Sequence, residues 1–385
     1  MRRDRVAGAA LAAQSVSFGL NFTAGVFFTP VSAAYGLTAT TLAIAAGLAT
    51  AVTGPAQPVV GVLLDRLGAR FVLLTGLTLI SGSYLALAAV RETWQFVAAY
   101  VLLGGLGFAA SSSLAVTTLI GRAYGDRAGP ALTRASVGIN LGQLLAPWAA
   151  TALFEPVGVR GAYLALGLTG LVVTIVLAGV LPPDRGPVRA PSGTVALRGK
   201  GRVLASFGLH SATLYVLILL LPKYATELGW SAVRAGRLVA VSAVAAGITA
   251  LVIARLLGRY PPETLLRALH LVRAVSLLLA ATATDPRALL AVAVIFGTAS
   301  FTVIPLTMAL LTRDLDRTRL GRALAPAWLI HQVSAGFALA VAAAVHAQTG
   351  SYRGYFAFGV LLSLTAAALV GRPAPIPTLR KESAR

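Results

Sequence analysis

The chain predicts an all-α polytopic membrane protein, with twelve transmembrane helices in two pseudo-symmetric six-helix bundles. Three observations lead there. Of the 385 residues, 57% are hydrophobic and only 11% charged, whereas about a quarter of a soluble domain is charged. Apolar runs of about 20 residues, enough for a helix to cross a bilayer, recur from end to end. The basic residues sit in short loops whose density alternates along the chain, and one loop pattern returns half a chain later.

The runs place spans at approximately 7–35, 38–63, 70–90, 94–121, 130–153, 160–181, 202–222, 233–255, 264–283, 287–312, 321–346 and 353–371. Met1-Arg2-Arg3-Asp4-Arg5 before an apolar run has the start of a signal peptide. The run continues to Tyr35, too long for a signal core, so an uncleaved first helix is expected. The Pro-, Gly- and Arg-rich interval 182–201 reads as a linker. The expected organisation is 1–181 as the first bundle, 182–201 as a cytoplasmic linker, 202–372 as the second bundle and 373–385 as a cytoplasmic tail.

Orientation follows from arginine and lysine. One set of loops carries Arg66, Arg70, Arg122, Arg127, Arg255, Arg259, Arg313, Arg317 and Arg319, and the opposite set carries mainly Arg91, Arg160, Lys223, Arg287 and Arg353. The denser set shares its side with both termini, which are therefore expected in the cytoplasm, with the protein multi-pass in the inner (plasma) membrane. Lys223, Arg234 and Arg237 are the exception, three positive charges near one outer loop. An internal repeat supports the halves. Leu119-Ile-Gly-Arg122-Ala-Tyr-Gly-Asp126-Arg127 is echoed by Leu310-Leu-Thr-Arg313-Asp-Leu-Asp316-Arg317, about 190 residues on.

Composition excludes several functions. The net charge of +20 could suit nucleic acid, but the charges lie in short loops and form no basic face. With no cysteine there is no disulfide, thiolate metal site or cysteine nucleophile. Four histidines with no buried carboxylate leave neither a metal cluster nor a nucleophile–base pair at usable spacing, so no enzyme, metal or cofactor is expected. The expected partners are a small-molecule substrate and the lipid bilayer, and the protein is read as a monomer. All twelve acidic residues sit at span ends, loops or tails. If protons are coupled, a histidine or the substrate itself must carry them.

Polar side chains at membrane depth are the candidates for a solute site. They include Asn21 in helix 1, Asn140 and Gln143 on one face of helix 5, His210 and Tyr215 in helix 7, and His331 and Gln332 in helix 11. Under the repeat offset Asn140 pairs with His331, so the two are expected to face each other across a cavity lined by helices 1, 4, 7 and 10 with help from 5 and 11. The alternative is that they only glue the bundle by interhelical hydrogen bonds. Arg273 lies well inside helix 9, three residues after His270, and could bind an anion or play a structural, snorkelling role. Arg237 could draw anions into a vestibule.

The stretch Gly61-Val-Leu-Leu-Asp65-Arg66-Leu-Gly68-Ala-Arg70 resembles the signature between helices 2 and 3 of the major facilitator superfamily. The resemblance implies alternating access by two rocking bundles and a cytoplasmic gate braced by Asp65, Arg66 and Arg70, here together with Arg122. The loop Ala254-Arg-Leu-Leu-Gly258-Arg259-Tyr260 looks like a worn copy without its aspartate, so the latch is expected to be stronger in the first half. Ser17-Phe-Gly-Leu-Asn21, the run from Val26 to Leu37, and Arg127-Ala-Gly129-Pro-Ala131 leading to Gly138, Asn140, Gln143 and Pro147 look like bacterial monocarboxylate-type permeases. Such permeases move lactate- or pyruvate-like acids, usually with a proton, and their helix 5 asparagine falls on Asn140. Their carboxylate-holding arginine in helix 8 falls near Gly247, where this chain has no charge. The expected function is secondary transport of a monocarboxylate-like organic anion. The alternatives are a drug or metabolite efflux antiporter, whose helix 5 glycine pattern is half matched, and a membrane sensor that binds solute without moving it.

Overall fold

The computed structural model describes residues 2–183, 199–313 and 315–371. Most of the expected linker and all of the expected tail lie outside the described residues. Among the described residues there is no β-strand. The first lobe holds α1 (Arg2–Tyr35), α2 (Ala39–Leu67), α3 (Ala69–Ala88), α4 (Thr93–Tyr124) and a 53-residue run, Ala128–Val180. Gly158 divides that run into α5 (128–157) and α6 (159–180). The second lobe holds α7 (Gly201–Glu227), α8 (Ala232–Leu256), α9 (Pro262–Thr282), α10 (Ala288–Thr312), α11 (Leu320–Thr349) and α12 (Arg353–Leu369). Among the described residues, nine helices are long and apolar enough to cross a membrane. The divided run supplies two spans, and α1 and the 17-residue α12 complete the dozen.

Short polar signals punctuate these helices. The Thr38 hydroxyl accepts the Thr41 N–H at 3.1 Å and opens α2, and Ser231 opens α8 by accepting the Arg234 N–H at 3.4 Å, as N-cap residues do. Gly158 adopts φ 67°, a left-handed value that side chains resist. The chain therefore reverses there with almost no loop, where the sequence suggests a connection of several residues.

Two helices are less regular than their apolar patterns suggest. In α4, Ala99–Gly105 is π-helical and Ser112 is extended. In α10 the helix stops at Thr298 and resumes at Val303. Such interruptions free backbone carbonyls that need other partners at membrane depth.

The outer surface is apolar, as a lipid-facing wall must be: Ile175 and Phe337 are 71% and 72% exposed. The first lobe packs around aromatic rings, with Phe27 stacked on Tyr163 at 3.9 Å and Tyr84 edge-on to Tyr163 at 5.4 Å. The lobes meet along two seams, α2 with α11 and α5 with α8. Between the seams lies the space in which a site can form.

Candidate functional site

On the face where α2 ends and α11 begins, the lobes are locked together. Asp65, in the last turn of α2, has a fully buried carboxylate. Its Oδ1 accepts from Arg122 Nη2 at 3.0 Å and from the Gly321 N–H at 2.9 Å. Its Oδ2 accepts from the Arg322 N–H at 3.0 Å and from Arg322 Nε at 3.3 Å. Gly321 and Arg322 belong to the first turn of α11, where backbone donors lack partners within the helix. Asp65 thus caps a helix of the opposite lobe, where the positive end of the helix dipole favours a carboxylate.

Arg122 completes the lock. It donates to the Leu64 carbonyl at 3.1 Å in its own lobe, and to the carbonyls of Arg317 at 3.1 Å and Thr318 at 3.3 Å in the other. Asp316 orders the turn that presents those carbonyls by accepting the Thr318 N–H at 2.9 Å. That backbone hydrogen bond holds the Asp316 carboxyl below the usual carboxylate range. Beside the lock the backbones touch: a Cβ on Gly61 would lie 2.6 Å from the Gly321 carbonyl oxygen.

The two remaining residues expected in this gate are elsewhere. Arg66 is exposed on the outer side of α2, because the helix continues through Leu67 and the 100° step per residue turns residue 66 away from α11. Arg70 donates to the Ala178 carbonyl at 2.6 Å, tying α3 to α6 within one lobe. Arg322, which the sequence reading missed, takes the place expected for Arg66. Its only advance signal is a basic residue at the start of an apolar span.

Behind this sealed face a cavity of about 290 Å3 opens between the lobes. Asn21 on α1, Thr50 and Thr53 on α2, Ser83 and Tyr84 on α3, Tyr100 on α4, Tyr215 on α7 and Gln332 on α11 contribute its polar groups. Among the described residues no charged side chain lines it. A second chamber of about 20 Å3 adjoins it, sharing Phe22, Tyr215 and Gln332 and adding Gln57, Trp328 and His331. The Gln332 Oε1 accepts the Tyr215 hydroxyl at 3.2 Å and faces His331 Nδ1 at 3.3 Å.

Asn21, Tyr215, Gln332 and His331 are therefore together at the cavity and its annex. The structure does not bring Asn140, Gln143 or His210 to either wall. The glycines at 138 and 142 press α5 against the α1 backbone, which turns Asn140 toward α8, where Gly247 faces it across the closed seam. Asn140 Nδ2 donates to the Ser136 carbonyl of its own helix at 3.3 Å, so the expected pairing with His331 across the cavity is not formed. His210 is buried behind Phe207, whose ring lies parallel to it at 6.0 Å. Helices α2 and α3 replace α5 and α10 in the main wall, because sealing one face leaves the opposite halves of the helices apart. The reading missed Thr50 and Thr53, three apart on one helical face, and the two mid-span tyrosines, each a ring with a hydroxyl tip. Tyr100 lies in the π-helical stretch of α4, an irregularity often found at functional sites.

Two six-helix lobes, a cavity between them and a lock on one face define a two-lobed, polytopic helical membrane protein. Comparison with known families agrees. The Major Facilitator Superfamily profile matches residues 10–206 and again 203–385, once for each lobe, and the chain belongs to that superfamily. Human monocarboxylate transporter 11 is 31% identical over 249 residues, covering 62% of this chain and 53% of that protein. The chain thus spans about half the length of the curated relatives it matches. The proton:xylose symporter XylE superposes with a TM-score of 0.79 at 15% identity, over 95% of this chain and 94% of its own. The human organic anion transporter MFSD10 superposes at 0.73 and 16% identity, over 95% and 99%. At these identities the two superpositions speak for the fold alone.

Proposed function

We propose that the protein is a secondary active transporter that moves a small monocarboxylate-like organic anion by alternating access, in a plasma membrane with both termini cytoplasmic. The observation that carries this reading is the one-sided cavity: both lobes wall it, and the lock at Asp65 seals the face rich in basic loops. The described conformation is then the outward-facing one. Rocking the lobes breaks the bonds from Asp65 to α11. Arg122, on the same lobe as Asp65, keeps its ion pair throughout, so the carboxylate is never left buried and unpaired.

The size of the cavity suits a small organic solute. Without a lining arginine, a carboxylate is held by neutral donors, the amides of Asn21 and Gln332, because the Thr50 and Thr53 hydroxyls already donate to the Ala46 and Ala49 carbonyls. The substrate class is supported by the likeness of residues 17–37 and 127–147 to monocarboxylate-type permeases and by the name of the 31%-identical relative. A second reading, export of a neutral or weakly basic drug or metabolite, is favoured by the same lack of lining charge and by the three tyrosines.

A thermal-shift screen of the purified protein against small carboxylates, sugars and hydrophobic cations separates the two. Stabilisation by lactate or pyruvate is expected, and it should weaken in Gln332→Ala. Stabilisation by cationic drugs alone would replace the anion reading with the export reading.

A further inference from the structure

Three of the four histidines and, among the described residues, the one arginine buried within a span gather in the second lobe, in a cluster the cavity only touches. His331 on α11, His210 on α7 and His270 on α9 are each at most 2% exposed. The rings of His331 and His210 are 6.0 Å apart and those of His210 and His270 6.2 Å apart. Most of their nitrogens have no partner: both of His210, Nδ1 of His270 and Nε2 of His331. His270 Nε2 is 3.1 Å from the Ser206 hydroxyl. Leaving so many buried polar atoms unbonded costs stability, and sites that tolerate the cost usually use it.

Only His331 borders the space open to solute. Gln332 Oε1 is a pure acceptor and already receives the Tyr215 hydroxyl. The His331 Nδ1 facing it must therefore hold a hydrogen, which leaves the Nε2 lone pair open. The chamber that His331 lines has room for a single water.

Arg273 gives the cluster its charge. One of its Nη2 hydrogens goes to the Ala299 carbonyl, freed where α10 is interrupted, and its guanidinium lies 5.3 Å over the Phe296 ring. Its Nε and Nη1 have no partner. The other titratable groups facing the cluster are tyrosines: Tyr215 on α7 and Tyr355 on α12, whose hydroxyl donates to the Ala212 carbonyl at 3.2 Å. From α10 only the neutral Ser300 and Thr302 are buried nearby. No carboxylate among the described residues pairs with Arg273.

We propose that His331 Nε2 is the binding site of the coupling proton, and that Arg273 makes its occupancy conditional on an anion in the adjoining cavity. The inference rests on the transport reading above. A proton enters from cavity water and forms one N–H bond at Nε2, giving an imidazolium. No other bond changes, and the proton leaves from the same atom once the opposite face opens. A second positive charge in a desolvated lobe that already holds Arg273 is repelled. A carboxylate bound against Gln332 and Tyr215 offsets that repulsion, so proton and anion load together.

The test uses the full chain in proteoliposomes with radiolabelled lactate, and histidine-selective nitrogen-15 labelling of the same protein in nanodiscs. A gradient of ~1 pH unit, acid outside, should drive about ten-fold lactate accumulation. His331→Gln should abolish it, whereas His346→Gln, at the far end of α11 and paired with Glu227, should not. In the spectra, the resonance missing from His331→Gln should gain its second proton at higher pH when lactate is added. Gradient-driven accumulation by His331→Gln, or a His331 resonance indifferent to lactate, overturns the inference. Wild-type protein that exchanges lactate yet ignores the gradient overturns it too, and leaves the transport reading standing. If wild-type protein neither binds nor exchanges lactate, the transport reading fails. His331 is then judged by its own titration: a second proton gained at higher pH in Arg273→Gln than in wild-type protein supports it, and a resonance unchanged by that substitution refutes it.

Discussion

Arg122 and Arg313 stand at matching places in the two lobes, and each pairs with a carboxylate of its own lobe. Arg122 holds Asp65 at 3.0 Å, and Arg313 holds Glu263, in the first turn of α9, at 2.5 Å. The resemblance stops there. Asp65 is fully buried and accepts three further bonds from the opposite lobe, whereas the Arg313 side chain is 41% exposed and its pair stays within one lobe. The repeat preserved the arginine and changed its work. One copy locks the lobes to each other, and the other braces a single lobe. The lobes' interiors diverged as well, stacked aromatic rings in the first against imidazoles and a guanidinium in the second.

The largest test of this difference is Asp65→Lys. Reversing the charge places a cation against Arg122, Arg322 and the start of α11. Breaking a buried pair costs about 3–5 kcal/mol, so the closed face should be lost and transport abolished in protein that still inserts. The chain has no cysteine, so a single Leu64→Cys, at a side chain fully buried beneath Gly321, reports closure through its alkylation rate. Slow labelling in the Asp65→Lys background would contradict the lock.

Gly321→Val comes next. A Cβ there would run into the Gly61 carbonyl oxygen, against backbone that cannot step aside. Overpacking of about 1–3 kcal/mol should bias the protein toward the open face and speed labelling of the same cysteine, with the ion pairs chemically intact. Arg313→Gln should do much less. The arginine of that pair is 41% exposed and its carboxylate 11%, so the pair contributes about 1 kcal/mol, and the melting temperature should dip while labelling at Leu64→Cys stays slow. Fast labelling there would mean that both arginines serve the gate.

The smallest expected effect is at Asp316. Its carboxyl is held below the ordinary value, so its contribution is complete above that value and disappears as pH falls through the lowered one. Asp316→Ala should therefore lower stability slightly above about pH 4, with the gap to the wild-type curve closing as the pH falls below that. An equal loss at all pH values would assign the residue some other role.

Much of this was legible in the residues. Apolar run length dictates helices because lipid offers no partner to a bare peptide group, so the spans and their number followed from counting. The Gly61–Arg70 pattern and the echo of residues 119–127 at 310–317 pointed to the lobes and to Asp65 with Arg122. Asn21, Tyr215, His331 and Gln332 stood out because polar atoms at membrane depth are costly.

The partners of those groups were settled only by tertiary structure. The residue that Asp65 caps lies more than 250 positions away, and no local pattern encodes the first turn of a helix in another lobe. Side-chain azimuth moved Arg66 out of the lock and Asn140 out of the cavity, since a helix turns about 100° per residue and the packing of α5 on α1 fixes which face remains. The histidine cluster has the same origin: three imidazoles and a guanidinium, carried on three helices, meet only because α7, α9 and α11 pack around one point. Sequence fixes which groups must be buried, by length and polarity. Which groups they meet there depends on contacts between distant segments, which only the folded chain brings together.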